Sequence, residues 1–81
     1  MRALTVAAKQ VSQLVKMADQ IALNLGAGHD PAAADRTAEH IERFWTPAMI
    51  RQLVLFWREG GEVAPVVAAA LAKLDNKARQ Q

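Results

Sequence analysis

The chain of 81 residues contains no cysteine, and this absence excludes several kinds of bond and site. Without thiols the protein can form no disulfide, no thiolate zinc site and no cysteine-ligated iron–sulfur cluster. A single core of this size supplies only a few kcal/mol of net stability, so small folds usually depend on a disulfide, a metal or a partner. The remaining sources of stability are compact packing of helices and association with a partner.

Other signals of membrane or nucleic-acid association are also missing. No apolar run approaches the roughly 20 residues that span a bilayer. The first nine residues are too short and too soon charged for a signal peptide, so the expected compartment is the cytoplasm. The 10 Lys and Arg residues stand against 8 Asp and Glu residues and are spread along the chain. This distribution indicates a solvated surface and not the basic stripe that binds phosphate backbones.

Residues that could carry out catalysis or bind a metal or cofactor are sparse. Ser12 is the only serine, and it lies on a polar helix flank without a nearby base. His29 and His40 stand apart, and no second ligand follows His40 at the i+4 spacing of helical metal sites. Glu39 and Glu42 lie beside arginines and are predicted to be solvated salt-bridge partners. We therefore assign no catalytic, metal-binding or cofactor-binding residue to this chain.

The apolar periodicity predicts an all-α fold of about four helices with short links punctuated by glycine and proline. We expect one helical domain over residues 1–81, with residues 1–3 and 75–81 frayed. Apolar residues of the first helix recur at alternating spacings of three and four, which defines one stripe. The stripe comprises Leu4, Ala7, Ala8, Val11, Leu14, Val15, Ala18, Ile21, Ala22 and Leu25.

Capping signals predict where the helices begin and end. Gly26 follows the last apolar residue of the first helix, where a left-handed cap is expected. Asp30-Pro31 is an N-cap and first-turn pair that opens the second helix, which runs to about Phe44. Thr46-Pro47 opens the third helix, which continues to Glu59. Gly60-Gly61 ends that helix, and Pro65 opens the fourth, whose last apolar residue is Leu74.

The third predicted helix has more apolar surface than one small core needs. Leu53 to Trp57 are five consecutive apolar residues, and Leu55 projects to the side opposite the main stripe. The four aromatic rings come as adjacent pairs, and neighbours on a helix diverge by about 100°, so both members cannot point to one core centre. We predict a partner-binding surface, since exposed tryptophan is a common interface anchor. Its members are Phe44, Trp45, Leu55, Phe56 and Trp57.

Two alternatives to this surface remain open. The rings could simply fill a core that is rich in alanine. The second and third helices, joined at Trp45-Thr46-Pro47, could also imitate a helix-turn-helix that binds DNA. A recognition helix needs polar and basic residues on its outer face. The third helix offers only Arg51, Gln52 and Arg58 there, interrupted by Leu55, so this alternative is the weaker one.

Three segments together resemble a known family. The run Leu14–Ile21, the segment His40–Met49 with its His-x-x-x-Phe-Trp-x-Pro-x-Met pattern, and Gly60-Gly61 stand in the order and spacing of the delta subunits of cytoplasmic NAD-dependent formate dehydrogenases. The resemblance covers about Val11 to Leu74. The chain departs from the pattern at Ala64, where the family commonly has an aspartate. Since alanine cannot cap with its side chain, how firmly the fourth helix begins is open.

The resemblance implies that this chain is a noncatalytic accessory subunit that binds and stabilises a large catalytic (alpha) subunit. That subunit would oxidise formate to carbon dioxide and carry molybdenum or tungsten on bis-molybdopterin guanine dinucleotide, with iron–sulfur clusters. Beta and gamma subunits would carry FMN and reduce NAD. The chain itself would bind no cofactor, membrane or nucleic acid. The resemblance leaves a second role open, that of an assembly factor that assists insertion of the bis-pterin molybdenum cofactor and does not remain bound.

Overall fold

The computed structural model describes the backbone of residues 2–79 and the side chains of residues 10–79. Within that range it contains four helices and no strand, which confirms the predicted all-α fold. The helices are α1 (Arg2–Asn24), α2 (Ala33–Phe44), α3 (Pro47–Arg58) and α4 (Pro65–Arg79). Met1, Gln80 and Gln81 lie outside the described residues, so the expectation of frayed ends is not addressed there.

The end of α1 follows the predicted glycine cap. Gly26 has a φ of 99°, in the left-handed region that glycine adopts without strain. The Ala27 N–H donates to the Ala22 carbonyl at 2.9 Å, and the Gly26 N–H donates to the Leu23 carbonyl at 3.3 Å. These two bonds form a Schellman motif, which satisfies carbonyls that the helix end would otherwise leave free.

The start of α2 differs in detail from the sequence prediction. The Asp30 Oδ1 atom accepts a hydrogen bond from the Ala32 N–H at 2.8 Å, and its Oδ2 atom lies 3.0 Å from Arg36. Asp30 therefore binds a free amide as predicted. Residues 31–32 nevertheless form a turn, and the helix begins at Ala33 and not at Pro31.

The limits of α3 follow the predicted signals closely. The Thr46 Oγ1 atom accepts from the Met49 N–H at 3.2 Å, and Pro47 is the first helical residue. At the other end Gly60 has a φ of 98°, and the Gly61 N–H donates to the Phe56 carbonyl at 2.9 Å. The helix thus ends in a second Schellman motif, one residue earlier than predicted, with Glu59 as its C-cap.

The fourth helix is longer than expected. It begins at Pro65, and the Ala64 carbonyl accepts from the Ala68 N–H at 2.8 Å, so the backbone of Ala64 contributes to the cap. Residues 75–79, predicted to be a frayed tail, continue α4 through Arg79. In this segment Lys77 Nζ lies 2.9 Å from Glu42 Oε2 on α2, a contact that apolar periodicity cannot show.

The core is formed where all four helices meet, and α2 and α4 form its most extensive pair. Alanines line much of it, which lets the helix axes approach closely, while Ile41, Leu53 and Leu71 supply the largest fully buried side chains. Among the described side chains, Thr37 is the only buried polar residue, and its Oγ1 atom has no hydrogen-bond partner. The buried cluster comprises Leu14, Ala18, Ala22, Ala38, Ile41, Trp45, Leu53, Val54, Val67, Ala70, Leu71 and Leu74.

Candidate partner-binding surface

The first Phe-Trp pair is divided between the surface and the core. Phe44, the last residue of α2, is 67% exposed, whereas Trp45 is 7% exposed. Trp45 leaves the helix with φ −93° and ψ 149°, which turns its side chain into the core. The burial of Trp45 corrects its assignment to the contact surface: for this ring, the alternative of filling the core applies.

The second Phe-Trp pair behaves differently. Phe56 and Trp57 are both half-buried and pack against the edge of the core. The Phe56 ring lies over Gly61, where an added Cβ would come within 2.4 Å of ring atoms. Leu55 is 47% exposed, which confirms its predicted projection to the side opposite the main apolar stripe of α3. Leu55, Phe56 and Trp57 thus keep partly accessible apolar surface.

A groove runs between α3 and the C-terminal half of α4, closed at one end by the C-terminus of α2. We call it the α3–α4 groove; its volume is about 460 Å³. The buried residues Trp45, Val54 and Leu74 border its floor, and Ile50 and Leu55 add apolar wall. The complete lining comprises Glu42, Trp45, Pro47, Ile50, Arg51, Val54, Leu55, Arg58, Leu74, Asp75, Lys77 and Ala78.

The rim of the α3–α4 groove is charged. Lys77 pairs with Glu42 at 2.9 Å, whereas Asp75 is shared more loosely by Arg58 at 3.9 Å and Arg79 at 3.7 Å. The third cation of the lining, Arg51, is exposed and forms no ion pair within the described side chains. Three cations against two carboxylates leave the lining with an excess of positive charge.

A second, smaller cleft lies beside Phe44. Its volume is about 350 Å³, and it is lined by Leu25, Arg36, Glu39, His40, Arg43 and Phe44. The rings of His40 and Phe44 are 4.7 Å apart between centroids and tilted by 44°. His40 is half-buried beside the Phe44 ring. The Phe44 ring thus occupies a different surface from Leu55.

The structure therefore brings together only two of the five predicted contact residues, Trp45 and Leu55, at the α3–α4 groove. Sequence reasoning missed the wall that α4 supplies through Leu74, Asp75, Lys77 and Ala78. One signal was available, because Leu74 and Ala78 are four residues apart, as expected for one helix face. The residues between and after them are polar, so the sequence pattern did not identify this end of α4 as an apolar face.

The described residues were also compared with the requirements of a metal site and of a membrane-spanning helix. Between positions 10 and 79, no three histidine, aspartate or glutamate side chains gather as potential ligands of one metal ion. No helix in the described part of the chain combines the length and the apolarity needed to cross a membrane.

Comparison with known proteins identifies one family. The profile of the family described as "NADH-dependant formate dehydrogenase delta subunit FdsD" matches residues 13–71. The match begins within α1 and ends within α4, and it includes both links around α3. No curated protein and no solved structure matches the chain. Since the matched residues make up well over half of the sequence, the chain belongs to the delta subunit family of NADH-dependent formate dehydrogenases.

Proposed function

We propose that this chain is a noncatalytic accessory subunit that binds and stabilises the large catalytic subunit of an NADH-dependent formate dehydrogenase. The family match over residues 13–71 is the observation that carries the proposal, because a delta subunit belongs to an assembly with other subunits. Formate oxidation then takes place on the large subunit in the cytoplasm, and beta and gamma subunits complete the complex.

The exposed apolar surface of the described residues supports a role as a bound subunit. Part of the exposed surface is apolar, at Phe44 and Leu55 among others. Binding to a partner would remove such surface from water.

The composition of the chain is consistent with cofactor binding by the other subunits of the complex. A chain without cysteine cannot supply thiolate ligands to iron–sulfur clusters. The proposal therefore leaves molybdenum or tungsten, its bis-pterin ligand, the clusters and FMN to the other subunits. The helix-turn-helix alternative gains no support from α3, since exposed Leu55 separates Arg51 from Arg58 on its outer face.

Purification of the complex from its native cell tests the proposal. We expect an affinity-tagged copy of this chain to retain the large subunit in a fixed stoichiometry through size-exclusion chromatography. Deleting the chain should lower the amount of intact large subunit and the formate-dependent reduction of NAD. A large subunit that is equally abundant, stable and active without this chain would contradict the proposal.

The same experiment separates a stable subunit from an assembly factor. An assembly factor would be lost during chromatography, and the enzyme left behind would keep full activity. Deletion would then lower the molybdenum or tungsten content per large subunit, which elemental analysis measures. Large subunits that already contain the cofactor would keep their stability. That pattern would replace the structural role with the assembly role.

A further inference from the structure

We propose that the α3–α4 groove receives an amphipathic helix of the large catalytic subunit, with an apolar stripe in the groove and a carboxylate opposite Arg51. The inference rests on the proposed function, which supplies the partner, and adds the surface and the chemistry of recognition. It assigns partner contact to Arg51, Ile50 and the end of α4, in addition to Leu55.

The lining of the groove determines what kind of side chains can enter it. Ile50 and Leu55 are accessible, and Val54 and Leu74 lie beneath them at the edge of the core. Apolar groups placed there would exclude water from these four side chains, which favours association. A polar segment would gain little, because the floor offers no side-chain donor or acceptor apart from the indole of Trp45.

The walls of the groove indicate that the occupant is helical. Both walls are helices, α3 and α4, and away from the helix ends their backbone N–H and C=O groups are used within the helices. A peptide that binds by strand addition needs a free sheet edge, and residues 2–79 contain no strand. A helix satisfies its backbone internally and presents side chains at i, i+3, i+4 and i+7, which suits an apolar groove between two helices.

The charge of the rim indicates the polar side of that helix. Glu42 and Asp75 already have cationic partners on this chain, whereas Arg51 is a cation of the lining without an ion pair among the described side chains, so an incoming carboxylate can pair with it. A carboxylate beside the apolar stripe would reach a guanidinium whose planar donors suit bidentate binding. A basic helix would instead face an excess of like charge.

A second copy of this chain does not meet these requirements. Three of its eight acidic side chains lie on α2, at Asp35, Glu39 and Glu42. The apolar side of α2, including Ala38 and Ile41, is already buried in the core. The helix with the most carboxylates therefore has no apolar stripe available for the groove, which favours a partner of different sequence.

Site-specific photo-crosslinking in the whole complex tests the docking surface. We would incorporate p-benzoylphenylalanine at position 55 and, as a matched control, at position 23. Both positions carry exposed helical leucines in the native chain, 47% exposed at Leu55 and 66% at Leu23. We expect position 55 to cross-link to one segment of the large subunit that is helical and carries an acidic residue, and position 23 to give no such product.

Charge reversal provides a second, independent readout. Arg51→Glu should weaken binding of the large subunit about tenfold or more, because it places like charges together at the rim. Lys16→Glu changes the net charge equally at an exposed position on α1 and should leave binding unchanged. A basic substitution of the carboxylate in the cross-linked segment should restore binding to Arg51→Glu.

The results of these experiments distinguish a failure of the groove assignment from a failure of the proposed function. If the complex forms but position 55 gives no cross-link and Arg51→Glu binds normally, the groove assignment is overturned and the accessory role stands. A cross-link from position 55 to another copy of this chain, or to a segment without helix or acidic residue, also overturns it. If the wild-type chain does not retain the large subunit at all, the proposed function itself fails.

Discussion

Phe44 and Trp45 are neighbours in the sequence and have opposite environments in the fold. Phe44 still belongs to α2 and points outward, whereas Trp45 has left the helix and turns inward. The break is imposed by Thr46 and Pro47, because a new helix starting at proline requires extended backbone before it. The adjacency of the pair predicted that the two rings would diverge. It could not predict which of them would be buried.

This division predicts very different costs for truncating the two rings. Trp45→Ala removes the only aromatic ring of the buried core and should destabilise the fold by about 3–5 kcal/mol. Phe44→Ala removes an exposed ring and should change stability by no more than about 0.5 kcal/mol. Urea unfolding followed by circular dichroism would measure both.

Trp45→Ala could leave too little folded protein to measure. Trp45→Phe keeps a ring in the core and should retain a measurable transition at a lower midpoint. Equal losses for the variants at Phe44 and Trp45 would show that the assignment of the two rings to surface and core is wrong.

At the scale of elements, the end of α3 shows how two adjacent glycines can be required for different reasons. Gly60 has a φ of 98° with open space around its missing Cβ, so its role is conformational. Gly61 does not have a positive φ, but an added Cβ would meet the Phe56 ring. The sequence identified Gly60-Gly61 as a helix terminator, but not the contact with Phe56, because that contact depends on the rotamer of the ring.

A double-mutant cycle separates the two roles. Gly60→Ala should destabilise the fold by about 1–2 kcal/mol through left-handed backbone strain. Gly61→Ala should cost about 1–3 kcal/mol by displacing the Phe56 ring. In a Phe56→Ala background the cost at Gly61 should largely disappear and the cost at Gly60 should persist. Additive effects at Gly61 and Phe56, measured by denaturant unfolding, would contradict this interpretation.

The molecule as a whole is built around a small core. Its radius of gyration of 12.4 Å is close to the ~12 Å expected for a compact chain of this length. Its ion pairs are mostly exposed, as at Lys73–Asp35 and Lys77–Glu42. Such pairs contribute at most about 1 kcal/mol each. Stability of the isolated chain must therefore come mainly from burial of alanine-rich helix faces.

We accordingly expect the isolated chain to unfold cooperatively with a free energy of only about 3–5 kcal/mol. Binding to the folded state alone raises the apparent stability by mass action. Hydrogen exchange should therefore slow in this chain when the large subunit is bound, most strongly in α3 and the end of α4. Arg51→Glu, compared at the same concentrations, should show less slowing. Unchanged exchange in these two helices on binding would argue against their contact with the partner.

Much about this protein follows from short stretches of sequence. The ends of the helices at Gly26, Thr46-Pro47, Gly60 and Pro65 are set by hydrogen bonds and backbone preferences that involve residues no more than five apart. Such local interactions are present in the sequence wherever the right residue types stand. The absence of thiol chemistry and the family to which the chain belongs are likewise readable without coordinates.

The binding surface was decided by contacts between residues far apart in the chain. Leu55 and Lys77 line one groove because α3 and α4 lie side by side. Near the end of α4, Lys77 pairs with Glu42, 35 positions away. Trp45 is buried in a cluster to which all four helices contribute. Local periodicity carries no information about which faces meet, so burial, rim charge and the groove itself appear only when the helices are packed.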